Sequence, residues 1–130
     1  MIEQTAIDWL TANRFKRVGT WSPGIKRMQR DDQDRLPGIH AIYAFVADGK
    51  VSYIGKATHL RRRLRAYNRS LAEQTNRPIR TVHSGIRQTW DNAVVIEVWA
   101  YYSADTEKLE QLEARWIKEV SPDWNVSGKA

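Results

Sequence analysis

The sequence contains no cysteine in its 130 residues. This absence excludes disulfide bonds, thiolate metal sites and cysteine nucleophiles together. Stability must therefore come from packing of a hydrophobic core. Any metal ion must be bound by oxygen or imidazole ligands, which favours a hard divalent cation.

The sequence also lacks a long hydrophobic run. No apolar stretch approaches the roughly 20 residues that a membrane-spanning helix needs. The opening segment MIEQTAIDWL has neither the basic start nor the apolar stretch of a signal peptide. We therefore expect a cytoplasmic protein that does not bind membranes. A chain of 130 residues, 42% of them hydrophobic, has room for one domain with a real core.

The formal net charge of +6 is unevenly distributed along the chain. Residues 56–90 contain nine Lys or Arg and one acidic residue, whereas residues 91–130 contain four basic and eight acidic residues. An arginine-rich stretch of this kind can neutralise several backbone phosphates, so DNA or RNA is the first partner to consider. The alternative is a basic helix face that contacts only solvent. The candidate DNA-binding residues are Arg61, Arg62, Arg65 and Arg69.

The pattern of apolar and turn residues predicts an α/β (α+β) fold, with a small three-stranded antiparallel sheet flanked by helices. An N-terminal helix and an irregular extension occupy residues 1–37, and the sheet-containing domain occupies residues 38–130. Three roles are open for the extension: DNA binding, subunit pairing and covering of the core. Within the domain we predict strands at 39–46, 50–55 and 93–102, and helices at 58–67, 78–90 and 106–120.

The first two predicted strands form a hairpin whose register controls the placement of two tyrosines. A three-residue loop, Ala47-Asp48-Gly49, is predicted, with Gly49 in the left-handed conformation of a bulge. This loop places Tyr43 opposite Tyr53, on one face of the hairpin. A two-residue loop would place them on opposite faces, because a slip of one residue inverts every side chain.

Three polar residues lie at or near the apolar faces of the predicted helices. Glu113 falls inside the apolar arc of the last helix. Because an ionised carboxylate is costly to bury alone, Glu113 is either a metal ligand or half of an ion pair with a buried arginine. His83, on the inner face of the helix at 78–90, is either a core histidine or a site residue. Arg63 lies at the edge of its apolar stripe, closer to the core than its neighbouring arginines.

Two tripeptides then point to a family. Ala41-Ile42-Tyr43 and Tyr53-Ile54-Gly55 resemble the paired motif of the GIY-YIG nucleases, with Ala41 in place of the first glycine. The match covers roughly residues 38–126 and is similar to the N-terminal nuclease domain of UvrC. The motif region also resembles the endonuclease II proteins of T-even bacteriophages. Four further positions match in order, namely Lys56, Arg63, Glu113 and Asn125.

The resemblance implies a metal-dependent DNA endonuclease that hydrolyses phosphodiester bonds with water as the nucleophile. Since no second inward carboxylate is apparent, we expect a single Mg²⁺ or Mn²⁺ ion held by Glu113. Cutting both strands of a duplex would favour a dimer or larger homo-oligomer. A catalytically inactive nucleic-acid-binding domain is the alternative, although it would not need an inward glutamate together with two facing tyrosines.

The remaining candidate residues receive roles from the same resemblance. Tyr43 would be the general base, with Tyr53 opposite it, and a phenol needs nearby positive charge to lose its proton at neutral pH. Arg63 would bind the scissile phosphate with its planar guanidinium. Asn125 would fix the end of the chain against the site. The residues that would activate the phenol are Lys56, Arg63 and His83.

Overall fold

A computed structural model describes residues 2–22, 29–30, 39–72, 85–86, 89, 92 and 94–125. The predicted helix at 78–90 falls largely outside these residues, although Gly85, Ile86 and Thr89 are helical. No helix in the described part of the chain has the length and apolar character needed to cross a bilayer. The elements, in chain order, are α1 (Ile2–Ala12), β1 (Lys16–Trp21), β2 (Gln29–Arg30), β3 (Ala41–Ala47), β4 (Lys50–Ala57), α2 (Leu60–Ala72), β5 (Ile96–Tyr102) and α3 (Thr106–Val120).

The strands form one sheet in the order β2-β1-β5-β3-β4, and every neighbouring pair is antiparallel. The predicted α+β class, with an antiparallel sheet flanked by helices, is confirmed. The predicted number of three strands is wrong, because the segment expected to be irregular adds β1 and β2. The strand β4 lies at one edge of the sheet and β2 at the other.

The sequence did not predict β1, because the pairing of this strand contains an irregularity. The pairing of β1 with β5 shifts between Arg17 and Gly19, which leaves Val18 as an extra residue. Such a bulge interrupts the period-two alternation by which a half-buried strand is recognised in a sequence. The Pro23-Gly24 pair that follows is also typical of a loop.

The hairpin of β3 and β4 differs from its predicted form. Asp48 and Gly49 have positive φ angles of 52° and 74°, so they make a two-residue loop, and Ala47 pairs with Lys50. The predicted three-residue loop is therefore wrong. The predicted pairing of the two tyrosines is also wrong, because Tyr43 lies opposite Gly55, and Tyr53 lies opposite Phe45.

The two tyrosines nevertheless share a face. The pairing shifts between Phe45 and Val46, so that Ser52 is an extra residue on β4. This bulge inverts the alternation once more and cancels the effect of the shorter loop. The rings of Tyr43 and Tyr53 consequently lie 5.9 Å apart, centroid to centroid.

Hydrophobic clusters cover both faces of the sheet. The tyrosine face, which carries Tyr43, Phe45 and Ala100, packs against α2. The other face packs against α1 and α3, with Trp116 at its centre. Residues before position 38 contribute to both clusters, since Trp21 lies on the tyrosine face and Leu10 and Phe15 lie on the other. Covering of the core is therefore one role of the N-terminal segment.

We predict that Trp21→Ala destabilises the fold by about 3–5 kcal/mol, because it removes a fully buried aromatic side chain. Urea unfolding of the full chain would measure this loss. The control is Val95→Ala, at a position that is 45% exposed, which should change the free energy of unfolding by less than about 0.5 kcal/mol. Similar values for the two variants would mean that β1 is not part of the core.

Candidate active site

Three tyrosines meet on the tyrosine face of the sheet. Tyr43 is only 1% exposed, and its ring lies 5.9 Å from that of Tyr53 and 6.0 Å from that of Tyr67. The hydroxyl oxygens of Tyr43 and Tyr67 are 3.0 Å apart and share a hydrogen bond. The sequence did not single out Tyr67, which lies on the apolar face of α2. Its position one turn after Arg63, on the same side of α2, was the signal that could have placed it at the site.

The glycine of the second motif makes room for these rings. A Cβ atom at Gly55 would lie 2.7 Å from Cζ and Oη of Tyr43 and 2.8 Å from a ring carbon of Tyr53. Both rings would have to move to accept it. At the first motif, Ala41 is fully buried on β3 and pairs with Ala57, so the strand accommodates alanine where the family pattern has glycine.

Burial raises the pKa of the Tyr43 hydroxyl well above its ordinary value, and the nearby Tyr67 and Tyr53 raise it further. Arg63 acts in the opposite direction, and its effect is smaller. Tyr43 therefore retains its proton at neutral pH. This environment opposes the role of general base that the sequence suggested for Tyr43. The Tyr53 side chain, by contrast, is partly exposed.

The carboxylate of Glu113 reaches the edge of the sheet from the middle of α3. Burial raises the pKa of Glu113 above its ordinary value, and the negative charge of Glu110 adds to the rise. The charges of Lys56 and Arg63 lower that pKa, as does a hydrogen bond donated by the backbone N–H of Lys56. Glu113 forms no ion pair within the described part of the chain. The described residues therefore give no support to the alternative that Glu113 is half of an ion pair with a buried arginine.

The C-terminal segment covers the free edge of β4. The Asn125 side chain accepts a hydrogen bond from the backbone N–H of Ile54 at 2.9 Å and donates one to the Ile54 carbonyl at 2.8 Å. The backbone N–H of Trp124 donates to the Ser52 carbonyl at 2.9 Å. Asn125 is 4% exposed, so these bonds are shielded from water. They hold β4 at Ser52 and Ile54, the residues on either side of Tyr53.

The basic residues of α2 divide by exposure. Arg62 and Arg65 are exposed, whereas Arg61 and Arg63 are half-buried. Arg63 is the one whose charge acts on both Tyr43 and Glu113. Arg69 lies in α2, but its side chain is outside the described residues, and so is the whole of His83.

His59 is a second residue that the sequence did not single out. Its Nδ1 atom accepts a hydrogen bond from the backbone N–H of Arg62 at 3.2 Å, so it caps the first turn of α2. Histidine is not among the usual capping residues, which explains why the sequence did not suggest this role. The cap fixes the start of the helix that presents Arg63.

The described residues contain no group of three or more His, Asp or Glu that could enclose a metal ion. A cation bound at Glu113 would therefore take its other ligands from water and substrate oxygens. Such a site fits a hard cation such as Mg²⁺, which usually keeps several water ligands and accepts one or two carboxylates. A cation would also offset the desolvation that raises the pKa of Glu113.

Comparisons with known proteins find similarity both in sequence and in fold. The sequence pattern of a family described as the UvrC-like GIY-YIG domain matches residues 37–126. The chain is 39% identical over 92 residues to UvrABC system protein C of Rhodococcus erythropolis and 38% identical over 92 residues to that of Nocardia farcinica. These matches cover 70% of this chain but only 11% and 12% of the relatives, so the chain spans about a tenth of their length.

A solved structure of a bacteriophage T4 EndoII mutant is similar in fold. The TM-score is 0.72 with 17% sequence identity, and the match covers 92% of this chain and 97% of that one. The similarity therefore includes residues before position 37, which lie outside the family match.

The raised pKa of Glu113 generates a prediction about stability and pH. At pH values above the pKa of the unfolded chain, the folded protein loses stability because it disfavours the charged carboxylate. Below that pKa the carboxyl is protonated in both states and the loss disappears. Without metal, Glu113→Gln should therefore be more stable than wild type at pH 7, and the difference should vanish by about pH 3.

Urea unfolding at several pH values in EDTA would measure this difference. Glu107→Gln, at an exposed position of the same helix, is the control and should not be stabilised at pH 7. A Glu113→Gln protein that is less stable than wild type at pH 7 would contradict the desolvation argument.

Proposed function

Because the chain belongs to the UvrC-like GIY-YIG domain family, we propose that it is a metal-dependent endonuclease that hydrolyses phosphodiester bonds in DNA. The observation that carries this proposal is the convergence of a desolvated carboxylate, two cationic side chains and a tyrosine cluster at one edge of the sheet. They come from different elements, with Glu113 on α3, Lys56 and Tyr53 on β4, and Arg63 on α2. A domain that only binds DNA would not need a carboxylate facing inward, where burial disfavours its charge.

Glu113 would hold one Mg²⁺ or Mn²⁺ ion through oxygen. Such an ion, when bound, lowers the pKa of a coordinated water and stabilises the negative charge that develops on the phosphate. The backbone N–H of Lys56 orients the Glu113 carboxylate by its hydrogen bond. The charges of Lys56 and Arg63 keep this carboxylate more acidic than burial alone would allow.

We assign the role of general base to Tyr53 instead of Tyr43. The hydroxyl of Tyr43 is buried and bonded to Tyr67, and its raised pKa keeps it protonated. Tyr53 lies on the same face with its side chain partly open to solvent, where it can meet an attacking water. Tyr43 and Phe45 would then hold the Tyr53 ring in place, since their rings lie 5.9 Å and 5.6 Å from it. Arg63 would bind the scissile phosphate, since a planar guanidinium matches two phosphate oxygens.

The remaining candidates would act on binding and on the shape of the site. Exposed arginines of α2 would contact backbone phosphates, which gives affinity without reading the base sequence. Asn125 would position β4 by its two hydrogen bonds to Ile54 and would not touch DNA. Cleavage of both strands of a duplex would require a dimer or larger assembly, or two successive binding events.

Plasmid nicking tests the proposed function directly. Wild type should convert supercoiled DNA to the open form with Mg²⁺ and should not do so in EDTA. Glu113→Gln should abolish nicking while DNA binding in EDTA persists, because the amide keeps the shape but loses the charge that holds the cation. Glu107→Gln, one to two turns away on α3, should remain active. Wild type that binds DNA but never cuts it would favour the inactive binding domain.

The assignment of the base makes a separate prediction. Tyr53→Phe should reduce the rate of single-turnover cleavage by about 10²–10⁴-fold, as expected for loss of a positioned general base. Tyr43→Phe should have a smaller effect on that rate and should lower stability by about 0.5–1.5 kcal/mol through loss of its bond to Tyr67. If Tyr43→Phe slows cleavage more than Tyr53→Phe, the base is Tyr43.

A further inference from the structure

The strand β1 places a basic residue on the tyrosine face of the sheet. Lys16 pairs with Ala100, Ala100 pairs with Tyr43, and Tyr43 pairs with Gly55. Residues that lie directly opposite each other in a sheet project from the same face. Lys16 therefore stands in one row with the tyrosine and the glycine of the two motifs. At about 4.8 Å per strand, its Cα lies about 10 Å from that of Tyr43.

The next residue, Arg17, projects from the opposite face. It pairs with Trp99, which packs in the cluster on the side of α1 and α3. Its guanidinium lies 3.9 Å from the carboxylate of Glu97, so its charge is partly balanced. Lys16 is exposed and forms no ion pair with the residues that the structure describes. Lys16 and Arg17 thus project from opposite faces of the sheet, and of the two only Arg17 forms an ion pair with a described residue.

The helix α2 connects Lys16 to the rest of the basic surface. A rotation of about 100° per residue puts Arg63 and Arg65 on opposite flanks of the buried Leu64. Because Arg63 acts on Glu113, the exposed Arg65 lies on the flank of α2 that faces away from this carboxylate. The side chains of α2 reach those of β1, since the ring of Tyr67 lies 6.0 Å from that of Trp21.

We propose that Lys16 binds a backbone phosphate of the DNA substrate, so that the DNA-binding surface crosses α2 and ends on β1. The proposal rests on the proposed function and names a contact that lies outside the family match at 37–126. A compact lysine charge without a protein partner is suited to a phosphate contact that gives affinity without sequence specificity.

The matched pair Lys16→Gln and Arg17→Gln tests this proposal, because each variant removes one positive charge from an exposed position of the same strand. Binding of a labelled duplex would be measured in EDTA over a series of salt concentrations. Lys16→Gln should weaken binding several-fold and reduce the salt slope by about one unit. Arg17→Gln should leave the slope unchanged. Equal slopes for Lys16→Gln and wild type would overturn the proposal.

A proximity measurement gives an independent answer, since the chain has no cysteine. The variants Lys16→Cys and Arg17→Cys would each carry a unique thiol, to which a photoactivatable crosslinker can be attached. Irradiation with the duplex in EDTA should crosslink the Lys16→Cys protein to DNA in high yield and the Arg17→Cys protein poorly. Similar yields at both positions would contradict the assignment of faces. Thermal unfolding of each variant confirms that the fold is retained.

The failure of this proposal is distinguishable from failure of the proposed function. If wild type neither binds nor nicks DNA, the endonuclease assignment fails together with everything that rests on it. If wild type binds and nicks DNA while Lys16→Gln matches Arg17→Gln in every measurement, only the contact at Lys16 is wrong.

Discussion

The candidate site depends on the hydrogen bonds that the chain makes to the outward backbone groups of β4, the strand at one edge of the sheet. The outward backbone groups of this strand are bonded to the side chains of Asn125 and Glu113 and to the backbone of Trp124. An unpaired buried backbone group costs about 1–3 kcal/mol, so these bonds define where the edge can lie. The strand that carries Tyr53 and Lys56 is thus held by α3, which supplies the carboxylate, and by the residues that follow this helix. The same hydrogen bonds therefore contribute both to the stability of the fold and to the geometry of the site.

Opposing electrostatic effects then distinguish the polar groups of the site. Burial favours the neutral form of both Tyr43 and Glu113, and Arg63 favours the charged form of both. For the phenol, burial dominates, which makes Tyr43 a structural hydrogen-bonding group. For the half-buried carboxylate, Lys56 and Arg63 offset part of the cost of burial, and a bound cation would act in the same direction. One arginine therefore acts on two groups, and in both of them burial outweighs its effect, so the pKa of each is raised.

Much of this arrangement follows from patterns that are visible in the sequence. The inward position of Glu113, the two motif strands and the last helix are all set by local periodicity, and the structure contains them. Two features were predicted wrongly. A bulge interrupts β1, and a second bulge follows the turn at Asp48-Gly49. The position of a bulge depends on pairing with the neighbouring strand, so the local sequence does not reveal it. The contact between Tyr67 and Tyr43 joins residues 24 positions apart, so no local pattern reveals it.

The closure of the β4 edge also has a consequence for solubility. An exposed edge strand offers a row of unpaired donors and acceptors with which another chain can form a continuous sheet. The Asn125 amide bonds to both outward backbone groups of Ile54 on β4. Loss of the segment around Asn125 would leave a strand of apolar and aromatic residues open to such pairing. This short segment therefore occupies the part of the edge at which such pairing would begin.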